Sequence, residues 1–164
     1  ARAAGGKENV VERFIAAAAL AVLSASAQAA EANYDGWTVR PSVVDGKFDR
    51  CTAAAPDGNF GVLMFKGGGV SALFGDPASG LAAGPMTVDV DIDGEPAIAQ
   101  TPGRALNAKL ALVTLGEGAD GVAEISNHKT LKFKTGGKAF EFDVSAATPA
   151  IAALPKCVAD NGGD

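Results

Sequence analysis

Lys138–Val158, KAFEFDVSAATPAIAALPKCV, runs from a strand pattern to a helix start to a cysteine without a break. Phe140, Phe142 and Val144 alternate with Glu141 and Asp143, the period of two expected of a strand with one face in a core. Thr148 then offers an N-cap side chain, and Pro149 a first helical residue with φ already set. Ile151 and Leu154, three apart, share a face of the short helix that follows. Pro155 disfavours helical geometry at Leu154, so the helix is expected to end or kink there and to leave Cys157 on an irregular turn. A last strand, a short helix and a cysteine in this order make a closing clasp for a small domain.

Upstream, hairpin signals dominate. Trp37, Val39, Val43 and Val44 read as a first strand interrupted by Pro41, which an edge position tolerates. Asp45-Gly46 turns it into Phe48–Thr52, which places Cys51 in or just after a second strand. After the turn-rich AAAPDGN at 53–59, FGVLMF at 60–65 is apolar nearly throughout and suits a central strand. Gly67, Gly68 and Gly69 lead into Val70–Phe74, and DPASGLAAGP at 76–85 has no helical period. Val88, Val90 and Ile92 alternate with Asp89 and Asp91 up to the Asp93-Gly94 turn, and 97–100 can pair back before Pro102 and Gly103 break the pattern. The 106–115 stretch fits helix or strand; its turn-like flanks favour a strand over 108–113. Asp120 is placed to cap a helix over 121–127, and 130–134 reads as a strand turned by Gly136-Gly137 into the closing stretch. The expectation is a mainly β domain: an antiparallel β-sandwich or partly open barrel of about eight or nine short strands with two short helices.

The chain of 164 residues is within the range of one domain. Arg2, Lys7 and Arg13 precede an apolar run from Phe14 to Leu23, and SASAQAA follows with small residues suited to cleavage between Ala29 and Ala30. Residues 1–29 therefore read as a signal peptide, too short in its apolar part to span a bilayer, with one domain over 30–159 and a disordered tail over 160–164. Loss of three basic and two acidic residues would move the net charge from −5 to −6. An acidic chain lacks the electrostatic footprint of nucleic-acid binding. Cys51 and Cys157, in an exported protein, are most simply one disulfide, with free thiols the alternative. With no C-x-x-C, a redox role is not indicated.

Motifs for chemistry are incomplete. Asp89, Asp91, Asp93 and Gly94 match the first half of a calcium-binding EF-hand loop, but its twelfth position is Gln100, which lacks the bidentate carboxylate. A strand with outward aspartates and a turn accounts for the same residues, with weak calcium binding as the alternative. Gly116, Gly118 and Gly121 spell G-x-G-x-x-G, but Glu117 and Asp120 put negative charge where a pyrophosphate would sit. His128, the single histidine, has neither a nucleophile motif nor a zinc-site partner. Glu141 and Asp143 face solvent along a strand. Lys129, Lys132, Lys134 and Lys138 gather around the last hairpin, where they guard an edge against pairing or form a docking patch for an anionic partner. No catalytic residues and no cofactor are indicated.

GWTV at 36–39, the early Cys51, DPASGLAAG before a strand ending in IDG at 92–94, and SAATPAIAAL after a late strand resemble the invasion-associated locus B proteins, small exported proteins of α-proteobacteria. The chain differs from them in having no cysteine pair after the IDG strand and in carrying Cys157 beyond the final helix. The resemblance implies a role in interaction with host cells and no particular catalytic residue. The leading expectation is a periplasmic or secreted, non-enzymatic module that binds a protein or another envelope macromolecule. An envelope hydrolase using paired carboxylates and a purely structural envelope protein are the alternatives.

Overall fold

The computed structural model describes residues 30–162; the expected signal segment lies outside the described residues, as do Gly163 and Asp164. Ten strands form one antiparallel sheet: β1 (Ala32–Tyr34), β2 (Trp37–Val44), β3 (Lys47–Ala54), β4 (Phe60–Phe65), β5 (Gly69–Gly75), β6 (Gly84–Ile92), β7 (Glu95–Ala105), β8 (Leu110–Glu117), β9 (Thr130–Thr135) and β10 (Lys138–Asp143). Their order in space is β1-β2-β3-β4-β5-β8-β7-β6-β9-β10. The helices are α1 (Gly118–Ser126), a 3₁₀ turn at Ser145–Ala147, α2 (Thr148–Ala152) and α3 (Leu154–Asn161). The mainly β, antiparallel class read from the sequence is the class observed.

The turns explain the hairpins. Asp35-Gly36, Asp45-Gly46, Asp93-Gly94 and Gly136-Gly137 each have positive φ at both residues, the conformation that matches the twist of the strands they join. Asp35-Gly36 adds β1, a strand absent from the sequence reading. β1 pairs with β2 only from Trp37 to Val39, so Pro41 stands beyond its reach and leaves no β1 ladder bond unmade. Pro102 and Gly103, expected to break the pattern, instead lie inside β7, opposite Thr87 and Met86. β8 pairs with β7 only from Gly103 to Ala105, so the missing N–H of Pro102 interrupts nothing there, and a Cβ at Gly103 would come within 3.0 Å of the Leu112 carbonyl. The expected strand over 108–113 begins two residues later and extends to Glu117, because Asn107 accepts the N–H groups of Lys109 and Leu110 in a turn.

The sheet curls until its two halves face each other. Phe74 on β5 stacks on Phe133 on β9 with centroids 4.4 Å apart, and Phe60 on β4 on Phe142 on β10 at 4.8 Å. In the sheet, β5 and β9 are separated by three strands, so these contacts cross the interior. β1 and β10 do not pair with each other, which leaves the curl open along that line. Each phenylalanine removed from water contributes about 1.5–3 kcal/mol. Val122, Ile125, Ala147, Ala150, Ile151 and Leu154 bring the helices into the same core.

The clasp differs from its expected form. Thr148 is the first residue of α2 and makes no capping bond; Asp143 instead accepts the N–H and hydroxyl of Ser145 at 2.9 and 2.5 Å, and starts the helical segment. Pro155 does not leave Cys157 on an irregular turn. It sits in the first turn of α3, where its missing N–H has no helical partner to lose, and Ala153 is the residue between α2 and α3. Asp160 and Asn161, expected in a disordered tail, end this helix, and Asn161 Nδ2 donates to the Cys157 carbonyl at 2.7 Å. Cys157 is bonded to Cys51, which is completely buried on β3, with Cα atoms 6.1 Å apart. Such a bond belongs to an oxidising compartment and places the protein outside the cytoplasm. Among the described residues, no helix is long and apolar enough to cross a membrane.

Candidate functional site

The three aspartates of the calcium-like motif are turned to three separate tasks. Asp89 Oδ1 accepts the backbone N–H of Gln100 at 2.8 Å, across a bulge where Gln100 has φ of 54°. Asp91 Oδ1 lies 2.8 Å from Lys134 Nζ. Asp93 Oδ1 accepts the N–H groups of Lys129 and Thr130 at 2.8 and 2.9 Å, and its Oδ2 lies 2.9 Å from His128 Nδ1. The Thr130 N–H, then His128, then the Lys129 N–H hold the Asp93 carboxyl down at about 2. His128 thereby serves the joint between the β6–β7 turn and the start of β9.

The glycine motif is also structural. Gly116 is the last residue but one of β8 and Gly121 lies in α1, and a Cβ on Gly121 would come within 3.2 Å of the Gly116 backbone. Two glycines therefore let the helix lie against the strand that precedes it.

The four lysines do not form one patch. β9, which carries Lys132 and Lys134, is an interior strand between β6 and β10, so these residues do not guard an edge. Lys132 Nζ lies 2.6 Å from Glu141 Oε2, and this hydrogen bond raises the lysine's pKa. Lys134 faces Asp91, and Lys138 Nζ donates to the Ser79 carbonyl. Lys134 and Lys138 share a cavity of about 410 Å³ with Asp89 and Gln100, while Lys129 is exposed at the other end of β9. Internal partners thus absorb three of the four ammonium groups.

A different surface combines apolar depth with a rim of carboxylates. A cleft of about 410 Å³ opens where the start of β2, the β3–β4 turn and the end of β10 meet. Trp37, Phe60 and Phe142 form its floor, Ala55 and Pro56 one wall, and Asp57, Glu141 and Asp143 its rim. The floor is rigid: Trp37 meets Phe60 edge-on at 5.9 Å, and Phe60 stacks on Phe142. No lysine or arginine lines it. Asp57 accepts from the backbone and side chain of Asn59, and Asp143 from Ser145, so both are held by neutral donors and not by an ion pair. The Ser145 hydroxyl, then its N–H, holds Asp143 below the usual carboxylate range.

Sequence reading singled out Glu141 and Asp143, but not their meeting with Asp57 and Trp37, which lie more than eighty residues upstream. Only the curl of the sheet brings β2, β4 and β10 to one place. Comparison with family models, with curated proteins and with solved structures gives no match.

Proposed function

We propose that the chain is an exported, non-enzymatic module, periplasmic or secreted, that docks another protein of the cell envelope. The observation that carries this reading is the cleft floored by Trp37, Phe60 and Phe142 and rimmed by Asp57, Glu141 and Asp143. Rigid aromatic ground within a charged rim is the composition of protein-binding surfaces. The Cys51–Cys157 bond and the signal-like stretch before Ala30 support export, and the resemblance to invasion-associated locus B proteins agrees with a role in interaction.

Hydrolysis by paired carboxylates is the less favoured reading. A general acid must hold its proton near neutral pH. Glu141 is ion-paired to Lys132, and Asp143 is shifted the other way, toward the ionised form.

The test is site-specific photocrosslinking in envelope extract, with the reactive residue at position 142 and, as control, at Val43, which is 63% exposed on the β2–β3 hairpin. Docking at the cleft gives a discrete crosslinked product from position 142 and not from position 43. Equal products from both positions, or none from either, would refute it.

A further inference from the structure

The rim of this cleft continues into a free sheet edge. β10 pairs with β9 on one side, and on the other side no strand follows. No backbone hydrogen bond outside that ladder involves residues 138–143 among the described residues. Val144 donates to the Lys129 carbonyl, so in this register Lys138, Phe140 and Phe142 turn their backbone groups to β9, and Ala139, Glu141 and Asp143 present theirs along a free edge about 20 Å long. The opposite edge, β1, is only three residues long, a length that blunts pairing.

Side chains decide what such an edge accepts. Phe140 and Phe142 point to the core side; Ala139, Glu141 and Asp143 are exposed on the other. In an antiparallel pair, residues directly opposite share a face. A second copy of β10 centred on Glu141 would set Glu141 against Glu141, a like-charge pair that opposes self-association. An incoming strand with lysine or arginine at alternate positions would instead meet Asp143, whose partners are the neutral donors of Ser145, and share Glu141 with Lys132, while its end reaches the aromatic floor.

We propose that β10 is the acceptor edge for an extended segment of a partner protein with basic residues at alternate positions, added antiparallel as an eleventh strand. This rests on the docking reading above and names its mode. Main-chain hydrogen bonds supply affinity, and the acidic face supplies selection.

The probe is the peptide acetyl-Lys-Val-Lys-Val-Lys-amide, titrated into isotope-labelled, oxidised protein and followed by amide chemical shifts and hydrogen exchange. Two further peptides serve as controls, one with glutamate for lysine and one with the lysine backbone nitrogens methylated, since the residues opposite Glu141 and Asp143 are the ones whose N–H groups face β10. The expected result is slowed exchange at the amides of Ala139, Glu141 and Asp143, with binding about tenfold weaker for the glutamate peptide. N-methylation should abolish the slowing, since it removes the strand's donors. The E141K/D143K double variant, altered only at exposed positions, should reverse the peptide preference. Unchanged preference in that variant, equal binding of the methylated peptide, or protection elsewhere than β10 overturns the proposal. If position 142 crosslinks a partner while β10 amides gain no protection, edge addition fails and docking stands; if β10 gains protection while position 142 captures nothing, edge addition stands and the docking reading fails.

Discussion

Reduction of the Cys51–Cys157 bond should lower stability far more than its few contacts suggest. The two cysteines are 106 positions apart, and β4 to β10 all lie between them. In the oxidised unfolded chain this loop stays closed, and the chain-entropy relation for a loop of about 100 residues assigns it about 4.7 kcal/mol. Reduction keeps both sulfur atoms in place, so burial of Cys51 changes little and the effect falls on the unfolded state. With a urea sensitivity of about 2 kcal/mol per molar for a domain of this size, the unfolding midpoint should drop by about 2 M. Trp37 is the single tryptophan and is buried, so its fluorescence reports the transition. The assay compares urea unfolding of oxidised and reduced protein at equal pH. A midpoint shift under about 0.5 M would refute the reasoning, since it would mean that the bond does not restrain the unfolded chain.

Asp93→Asn should flatten the acid side of the stability curve. The Asp93 carboxyl is held at about 2 in the fold against an ordinary 3.8, so its contribution is full above about pH 4 and is lost as pH falls through 2. Urea midpoints measured from pH 5 to 2 should fall less steeply in the variant, and parallel curves would count against this role. Gly75→Ala should be severe, because a Cβ there would lie 1.8 Å from the Lys109 carbonyl oxygen, a backbone atom that cannot turn away. A loss of about 3 kcal/mol is expected by urea unfolding. Gly67→Ala, where no atom lies within 4 Å, should cost less than about 0.5 kcal/mol, and equal losses at the two sites would overturn the argument.

Local chemistry was legible where it was decisive on its own. Asp45-Gly46, Asp93-Gly94 and Gly136-Gly137 announced hairpins because positive φ at two successive residues favours those residue types. Phe140 and Val144 announced a buried face by their spacing. Asp35-Gly36 carried the same turn signal, but only three residues precede it in β1, too few for a pattern of their own. Pro102 and Pro155 misled for a common reason: a proline's missing donor matters only where the neighbouring group would have been bonded. The candidate site was legible as separate residues, Glu141 and Asp143, and not as a place. Its floor depends on contacts between strands that are distant in the sheet and in the sequence.

The order β1-β2-β3-β4-β5-β8-β7-β6-β9-β10 also bears on how the chain reaches its fold. Most neighbouring strands are consecutive and can pair as each turn closes; only β5–β8 and β6–β9 join strands with others between them. Three locally assembled pieces, β1–β5, β6–β8 and β9–β10, thus meet along two seams. Loop-closure entropy falls mainly on those seams, so topology predicts that their formation limits the folding rate. Substitutions at Ala72 or Val90, each completely or almost completely buried beside a seam, would slow folding, whereas changes at the tips of the hairpins would chiefly speed unfolding.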